Sequence, residues 1–281
     1  MAAILPYNHQ QQGIGIPHWY SLSWQTCHKR ETIKLSCPLS LSVNNVRTVS
    51  DTKRSFYNLH TRPINSIYRR VVEELMVEMH LLSVNVDFRY DPIYALGVVS
   101  SFDRFMQGYI PEQDKPSIFN AICQALEDDP QRYQHDAQRL QEFVSRLSPS
   151  ELVAWLSQSS LPAEAGDLQE QLQGIAHNSH FKYSRLFAIG LFTLLELASP
   201  DLVKDDKQRV EAQQKICDAL HLPAEKLQKD LELYGSNLEK MAQARIVLAD
   251  VLSADRKKRE QRAQAKSTVE APSNGSSEFK L

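Results

Sequence analysis

Cysteine is scarce in this chain, and no apolar run is long enough to cross a membrane. Its four cysteines, Cys27, Cys37, Cys123 and Cys217, are too few and too scattered among 281 residues for a disulfide framework, and a reducing compartment fits them best. The most apolar stretch, Phe181 to Ser199, holds between Arg185 and Glu196 an apolar run broken only by Thr193. That is about half of the roughly 20 residues a membrane-crossing helix needs. An excess of one charge is missing too: the formal net charge of -2 gives no reason to expect a nucleic-acid partner. No P-loop, GxSxG elbow, HExxH, GxGxxG or CxxC occurs. The GxG at Gly13 and Gly15 lacks both its third glycine and a preceding strand. What remains, 42% hydrophobic and 23% charged residues, is ordinary for a soluble globular protein of one or two domains.

Two clusters of metal-ligating residue types reduce to ordinary surface features. His177 and His180 lie three residues apart with no Cys or further His close in sequence, so a surface pair near a helix end is the better reading for a site type that wants three or four ligands. Glu73, Glu74, Glu78 and His80 call for comparison with the Glu-x-x-His pattern of di-iron bundles. The residue three before His80 is Val77, and His135 and His180 fail the same test through Arg132 and His177. A solvated acidic face is expected instead, and Cys123 and Cys217, on helical apolar faces, read as buried free thiols.

No stretch alternates with period two, and the apolar spacing is helical from Asn44 onward. The expected fold is all-α: a compact multi-helix bundle around the central apolar helix Phe181 to Ser199, with a long C-terminal helix. That central helix is apolar nearly all round, so partner stripes starting at Ile64, Ile93, Ile118 and Tyr133 must cover it. Tyr183 and Arg185 at its start read as a hydrogen bond or ion pair inside the domain. Prolines in first turns mark several helix starts, where the missing N–H costs nothing. Thr61-Arg62-Pro63 is expected to open the first strong helix, and Asp91-Pro92, Asp129-Pro130 and the capping box Ser148-Pro149-Ser150-Glu151 start helices near 92 to 107, 130 to 147 and 149 to 157.

Four segments follow from this pattern. Residues 1–43, with Trp19, Trp24 and the GIGIP of Gly13 to Pro17 but no periodicity, read as a disordered extension. It lacks the apolar h-region of a secretory signal. An upstream start assigned in error, with the true start at a GTG codon for Val43, is preferred to a weak plastid transit peptide. Residues 44–222 form the helical domain. Residues 223–266 form the long helix, whose Leu227, Leu231, Tyr234, Leu238 and Met241 are spaced as a coiled-coil seam, continued by Leu248 and Leu252 after Arg245 interrupts it. Its end carries Arg256, Lys257, Lys258, Arg259, Arg262 and Lys266 against Glu260 alone. That basic run reads as a solvated helix end or as a contact for an anionic membrane surface or a partner. Nucleic acid is a distant third, because no aromatics are interleaved. Residues 267–281, rich in Ser, Pro and Gly, are expected to be disordered.

Three blocks go beyond composition: RPINSIYRRVVEELMVEMHLL from Arg62, YDPIYALGVVSSFDRFMQGY from Tyr90, and YSRLFAIGLFTLLELAS from Tyr183. In this order and spacing they resemble the thylakoid formation protein family, also described as an accessory protein of photosystem II biogenesis, over roughly Asn44 to Leu252. The wording is closer to the cyanobacterial than to the plant form. The resemblance implies a non-enzymatic, all-helical protein, peripheral to the cytoplasmic or stromal side of the thylakoid membrane. It further implies a role in thylakoid organisation and photosystem II assembly and repair, with FtsH-type membrane proteases and photosystem II assembly components as partners. The family has no catalytic motif to carry over, and no cofactor, metal, nucleic acid or small-molecule substrate is expected. Two other readings differ in class: an enzyme with a polar site between helices around Arg69, Glu73 and His80, and a DNA-associated helical regulator using the basic tail.

Overall fold

Side-chain oxygens cap most of the helix starts, and at Asp91, Asp129, Ser148 and Ser199 the cap directly precedes a first-turn proline. The computed structural model describes residues 47–162 and 164–269, and among these all regular structure is helical. Helix α1, Val49–Leu59, begins with a reciprocal capping box between Thr48 and Asp51. Helix α2, Ser66–Ser83, starts three residues after Pro63, the expected opening. A start at Pro63 would make Arg62 the cap, and its guanidinium cannot accept a hydrogen bond, whereas Asn65 Oδ1 accepts from the Ile67 N–H at 3.2 Å. Helix α3, Pro92–Phe105, is capped by Asp91, which accepts from the Tyr94 N–H at 2.8 Å. A 3-10 turn at Glu112–Asp114 leads into α4, Lys115–Ala125. Helices α5, Pro130–Val144, and α6, Pro149–Leu156, start at the expected Asp129 and Ser148 caps. Helix α7 is Gly166–Ala176, and α8, Arg185–Ala198, is the central apolar segment. Its first four expected residues are not helical, because Ser184 caps the helix by accepting from the Phe187 N–H at 3.1 Å. The short α9, Pro200–Lys204, and α10, Asp206–Leu220, precede α11, Ala224–Val269.

The core is organised by a pair of helices instead of by α8 alone. Helix α3 is buried almost throughout, and it crosses α8 at contact distance. A Cβ on Gly97 would stand 1.8 Å from the Leu186 carbonyl oxygen, and one on Gly190 would stand 2.0 Å from that of Ile93. Each glycine therefore admits the other helix's backbone, which no larger residue could do. To one side lies an apolar cluster from α1 to α4 that includes Phe56, Met76, Phe102 and Ile122. To the other lies a cluster from α5, α6, α7, α8, α10 and α11 that includes Leu140, Trp155, Leu194 and Ile216.

Of the four stripes expected to cover α8, those of α3 and α5 do so, joined by α6, α9 and α11. The stripes from Ile64 and Ile118 pack elsewhere, because α3 lies between: α2 rests on α1 and α3, and α4 rests on α1 and α5. The thiols of Cys123 and Cys217 are buried and free, and burial pushes them up to about 12 and about 11. At neutral pH both are thiols, small apolar fillers without nucleophilic character. Cys27 and Cys37, the expected extension 1–43 and the expected tail from residue 270 on lie outside the described residues.

Two outcomes test this core. Gly97→Ala or Gly190→Ala forces the two backbones apart, and each is expected to lower stability by about 1–3 kcal/mol, the range for overpacking, read as a fall in thermal midpoint. Asp91 is 7% exposed, and burial pushes its carboxyl up to about 7 although the Tyr94 and Ile93 N–H groups oppose the shift. Its folded value thus lies above the unfolded value of about 3.9, so its stability contribution is complete below pH ~4 and is lost as pH rises through ~7. Asp91→Asn keeps the cap acceptor and removes the charge. It is expected to exceed the parent by up to about 4 kcal/mol at pH 8, with the gap closing at pH 4, in urea unfolding at both pH values.

Candidate functional site

Helices α2 and α11 run past each other without extensive contact, since α11 leans on α8, α10 and α3 while α2 leans on α1 and α3. The space between them is a groove of about 420 Å³. Val71 and Leu75 of α2, Leu186 and Ile189 of α8, and Met241 and Ala244 of α11 make its lining apolar. Arg70, Glu74, Asn237 and Lys240 stand along its rims. Past Glu78 it continues into a more open depression of about 980 Å³ along α2, bordered by Lys53, Arg69, Glu73, Lys182 and Arg185.

A polar knot joins the two parts. The Arg185 guanidinium donates to Glu78 Oε2 at 2.5 Å, and both side chains are half-buried. Burial raises the Glu78 carboxyl above the ordinary carboxylate range, with Arg185 opposing the shift. Burial lowers the Arg185 guanidinium, but the charges of Glu78 and Asp230 outweigh it and the net shift is upward. One residue pair earlier, the Tyr183 hydroxyl donates to Asp230 Oδ2 at 2.8 Å, and burial raises that hydroxyl strongly. Tyr183 and Arg185 thus tie the start of α8 to α11 and α2, the internal role expected of them. The acidic face of α2 is not simply solvated: Glu78 is half-buried under Arg185, and Glu73 accepts from Lys53 at 2.9 Å and from the Tyr57 hydroxyl at 2.5 Å. These two bonds lower the Glu73 carboxyl, the Tyr57 bond being the larger cause. Spacing on one helix cannot show a covering partner that comes from 107 residues away.

Arg69, Glu73 and His80 do not form a site. Arg69 and Glu73 border the depression, whereas His80 is buried beneath α1 with Nδ1 2.9 Å from Thr52 Oγ1. His80 and Glu73, seven residues apart on α2, both bond to α1, but His80 is buried against Thr52 while Glu73, held by Lys53 and Tyr57, stays at the edge of the depression. His177 and His180 are exposed as expected, with His177 Nδ1 2.8 Å from the Gln173 carbonyl oxygen. Among the described residues no group of three His, Cys, Asp or Glu side chains could hold a metal ion.

The expected coiled-coil seam is used inside the molecule. Leu227, Tyr234 and Met241 are buried and Leu231 and Leu238 partly so. Arg245 keeps the register by donating to the Gln107 carbonyl oxygen at 2.9 Å. Beyond Leu248 the helix leaves the bundle: every residue from 249 to 263 is exposed, including Val251, Leu252, Arg256, Lys257, Lys258, Arg259 and Arg262. Lys266 lies on the same helix, past the last described side chain. The helix continues to Val269, three residues into the segment expected to be disordered. The groove has little signature in the sequence. Its one local signal is that Met241, Ala244, Leu248 and Val251 keep helical spacing where α11 has no α2 contact to explain them.

The chain matches the model of the family described as thylakoid formation protein over residues 48–263. It is 69% identical over 229 residues to Protein Thf1 of Trichormus variabilis, covering 82% of this chain and 98% of that one. To Protein Thf1 of Acaryochloris marina it is 57% identical over 218 residues, covering 78% and 88%. Among solved structures, that of Psb29 superposes with a TM-score of 0.66 at 44% identity, covering 76% of this chain and 99% of that one. With a family match over most of its length and relatives this similar, the chain belongs to the thylakoid formation protein family.

Proposed function

We propose that this chain is a non-enzymatic accessory protein of thylakoid biogenesis that acts in photosystem II assembly and repair beside FtsH-type membrane proteases. It works from the cytoplasmic or stromal face, bound to the membrane peripherally. The observation that carries this reading is the end of α11, where residues 249–263 project from the bundle with five described cations and no contact to the core. A helix held rigidly by its first half and basic at its free half is built to touch something outside the domain. Each cation near an anionic lipid surface adds about 1 kcal/mol of attraction. No helix among the described residues is long and apolar enough to cross a membrane, which agrees with a peripheral attachment. The enzyme reading has no comparable support, since His80 is buried against Thr52 while Arg69 and Glu73 border the open depression.

The test separates the projecting half from the folded half. Truncation at Pro223 would strip Leu227, Tyr234 and Met241 from the core, so the informative deletion begins at residue 249. Full-length and truncated protein are compared for co-sedimentation with thylakoids and for recovery of FtsH in pull-downs. Substitution of Arg256, Lys257, Lys258, Arg259, Arg262 and Lys266 by Gln gives the charge-only version. Recovery is expected to fall in both assays for both variants. Unchanged recovery in both assays would sink the proposal.

A further inference from the structure

The groove between α2 and α11 and the free end of α11 are one surface. From Leu227 the α11 seam advances in steps of four and three, through Met241, Arg245 and Leu248 on the bundle. The same steps continue off the bundle as Leu252, Asp255, Arg259, Arg262 and Lys266. The helix face that rests on the core therefore runs on uncovered, first apolar and then basic. Beside this seam, Met241 and Ala244 form one wall of the groove, and Val247 and Val251, 61% and 53% exposed, extend that wall past the end of the bundle.

We propose that this surface is the seat of an amphipathic, acidic α-helix of a partner protein. Its apolar side chains enter the groove against Val71, Leu75, Ile189 and Ala244, then continue along Val247 and Val251. Its acidic side chains meet Lys240, Lys258, Arg259 and Arg262. Charge complementarity selects this occupant. None of those four cations takes part in an ion pair among the described residues, whereas in the groove Arg70 is already paired with Glu74 and Arg185 with Glu78. A second copy of α11 does not fit, because pairing the two seams in register would set Arg259, Arg262 and Lys266 against their own kind. An apolar groove with charged rims between two helices is the geometry that receives a third helix through one face. The inference rests on the accessory-protein reading and names the chemistry of its partner.

The experiment uses the full chain and a defined probe: a labelled three-heptad helical peptide with Leu at positions a and d and Glu at e and g, followed by fluorescence anisotropy. A control peptide carries Lys in place of Glu. The Glu peptide is expected to bind, more tightly at low salt, and the Lys peptide to bind at least about tenfold more weakly. Arg259→Glu with Arg262→Glu, both on fully exposed positions, is expected to weaken the Glu peptide by about tenfold or more. Ala244→Trp, verified as folded by its circular dichroism melt, is expected to block binding by filling the groove. Equal binding of the two peptides, an unchanged affinity in Ala244→Trp, or no binding of either peptide overturns the proposal. Binding of anionic phosphatidylglycerol vesicles through Arg259 and Arg262 without peptide binding also overturns it and assigns the face to lipid. The assay contains neither thylakoids nor FtsH, so its failure leaves the co-sedimentation result to judge the accessory reading by itself.

Discussion

Backbone contact between α3 and α8 is the constraint on which the rest of this molecule depends. Most helix pairs are held 8–10 Å apart by the side chains between them. Here Gly97 and Gly190 remove that spacer, and each carbonyl at Leu186 and Ile93 occupies the space a Cβ would need. The glycines weaken two helices that must then be stabilised by packing, since each costs about 1 kcal/mol of helix propensity relative to Ala. Burial compensates: both helices are apolar and almost fully covered, so the tight crossing becomes a spine with an apolar cluster on each side. Leu186 on α8 joins the first cluster while Ile93 and Leu96 on α3 join the second, so neither half packs without the other.

The spine also fixes where the groove lies. Because α3 and α8 approach so closely, α2 sits on α3 while α11 sits mainly on α8, and the two outer helices are left facing each other across the gap. The start of α8 closes the bottom of that gap with Arg185 held by Glu78. Breaking such a pair from one side is expensive, because it leaves an uncompensated charge in a covered position. Glu78 and Arg185 therefore hold the α2–α8 spacing at the end of the groove.

The parts of this fold that were legible in the sequence are those decided within a few residues. Asp91-Pro92, Asp129-Pro130 and Ser148-Pro149 each name a helix start, because a carboxylate or hydroxyl cap and a proline without an N–H solve the same local problem. The seam of α11 was legible for the same reason, being a repeat along one element. Pro63 misled because a proline marks where a helix is permitted, while the cap that Asn65 provides decides where it begins. The glycine crossing was present in the blocks YALGV and FAIGL, where an isolated glycine inside an apolar helix signals close packing. The partner of each glycine lies about 90 residues away, however, and no local pattern pairs them. Glu78 is illegible on the same ground: it follows Glu73 and Glu74 along α2, and only the fold delivers Arg185. The groove is harder still, because it is defined by two helices not touching.

The free end of α11 raises a question of stability that its anchored half answers. An isolated helix of fewer than about 12–15 residues is marginal in water because the first turn fixes several residues for one hydrogen bond. In α11 that nucleus already exists on the bundle, where Leu227, Tyr234 and Met241 are buried and Arg245 is tied to Gln107. Residues 249–269 therefore extend a helix instead of starting one, and each added residue gains a hydrogen bond without a new nucleation penalty. That extension lacks tertiary support, since every residue from 249 to 263 is exposed. A partner or surface that engages Arg259 and Arg262 supplies the missing support at the place where the helix has least of its own. The same neutralisation eases repulsion among the adjacent cations Arg256 to Arg259, so contact with an anionic partner and ordering of the helix end favour each other.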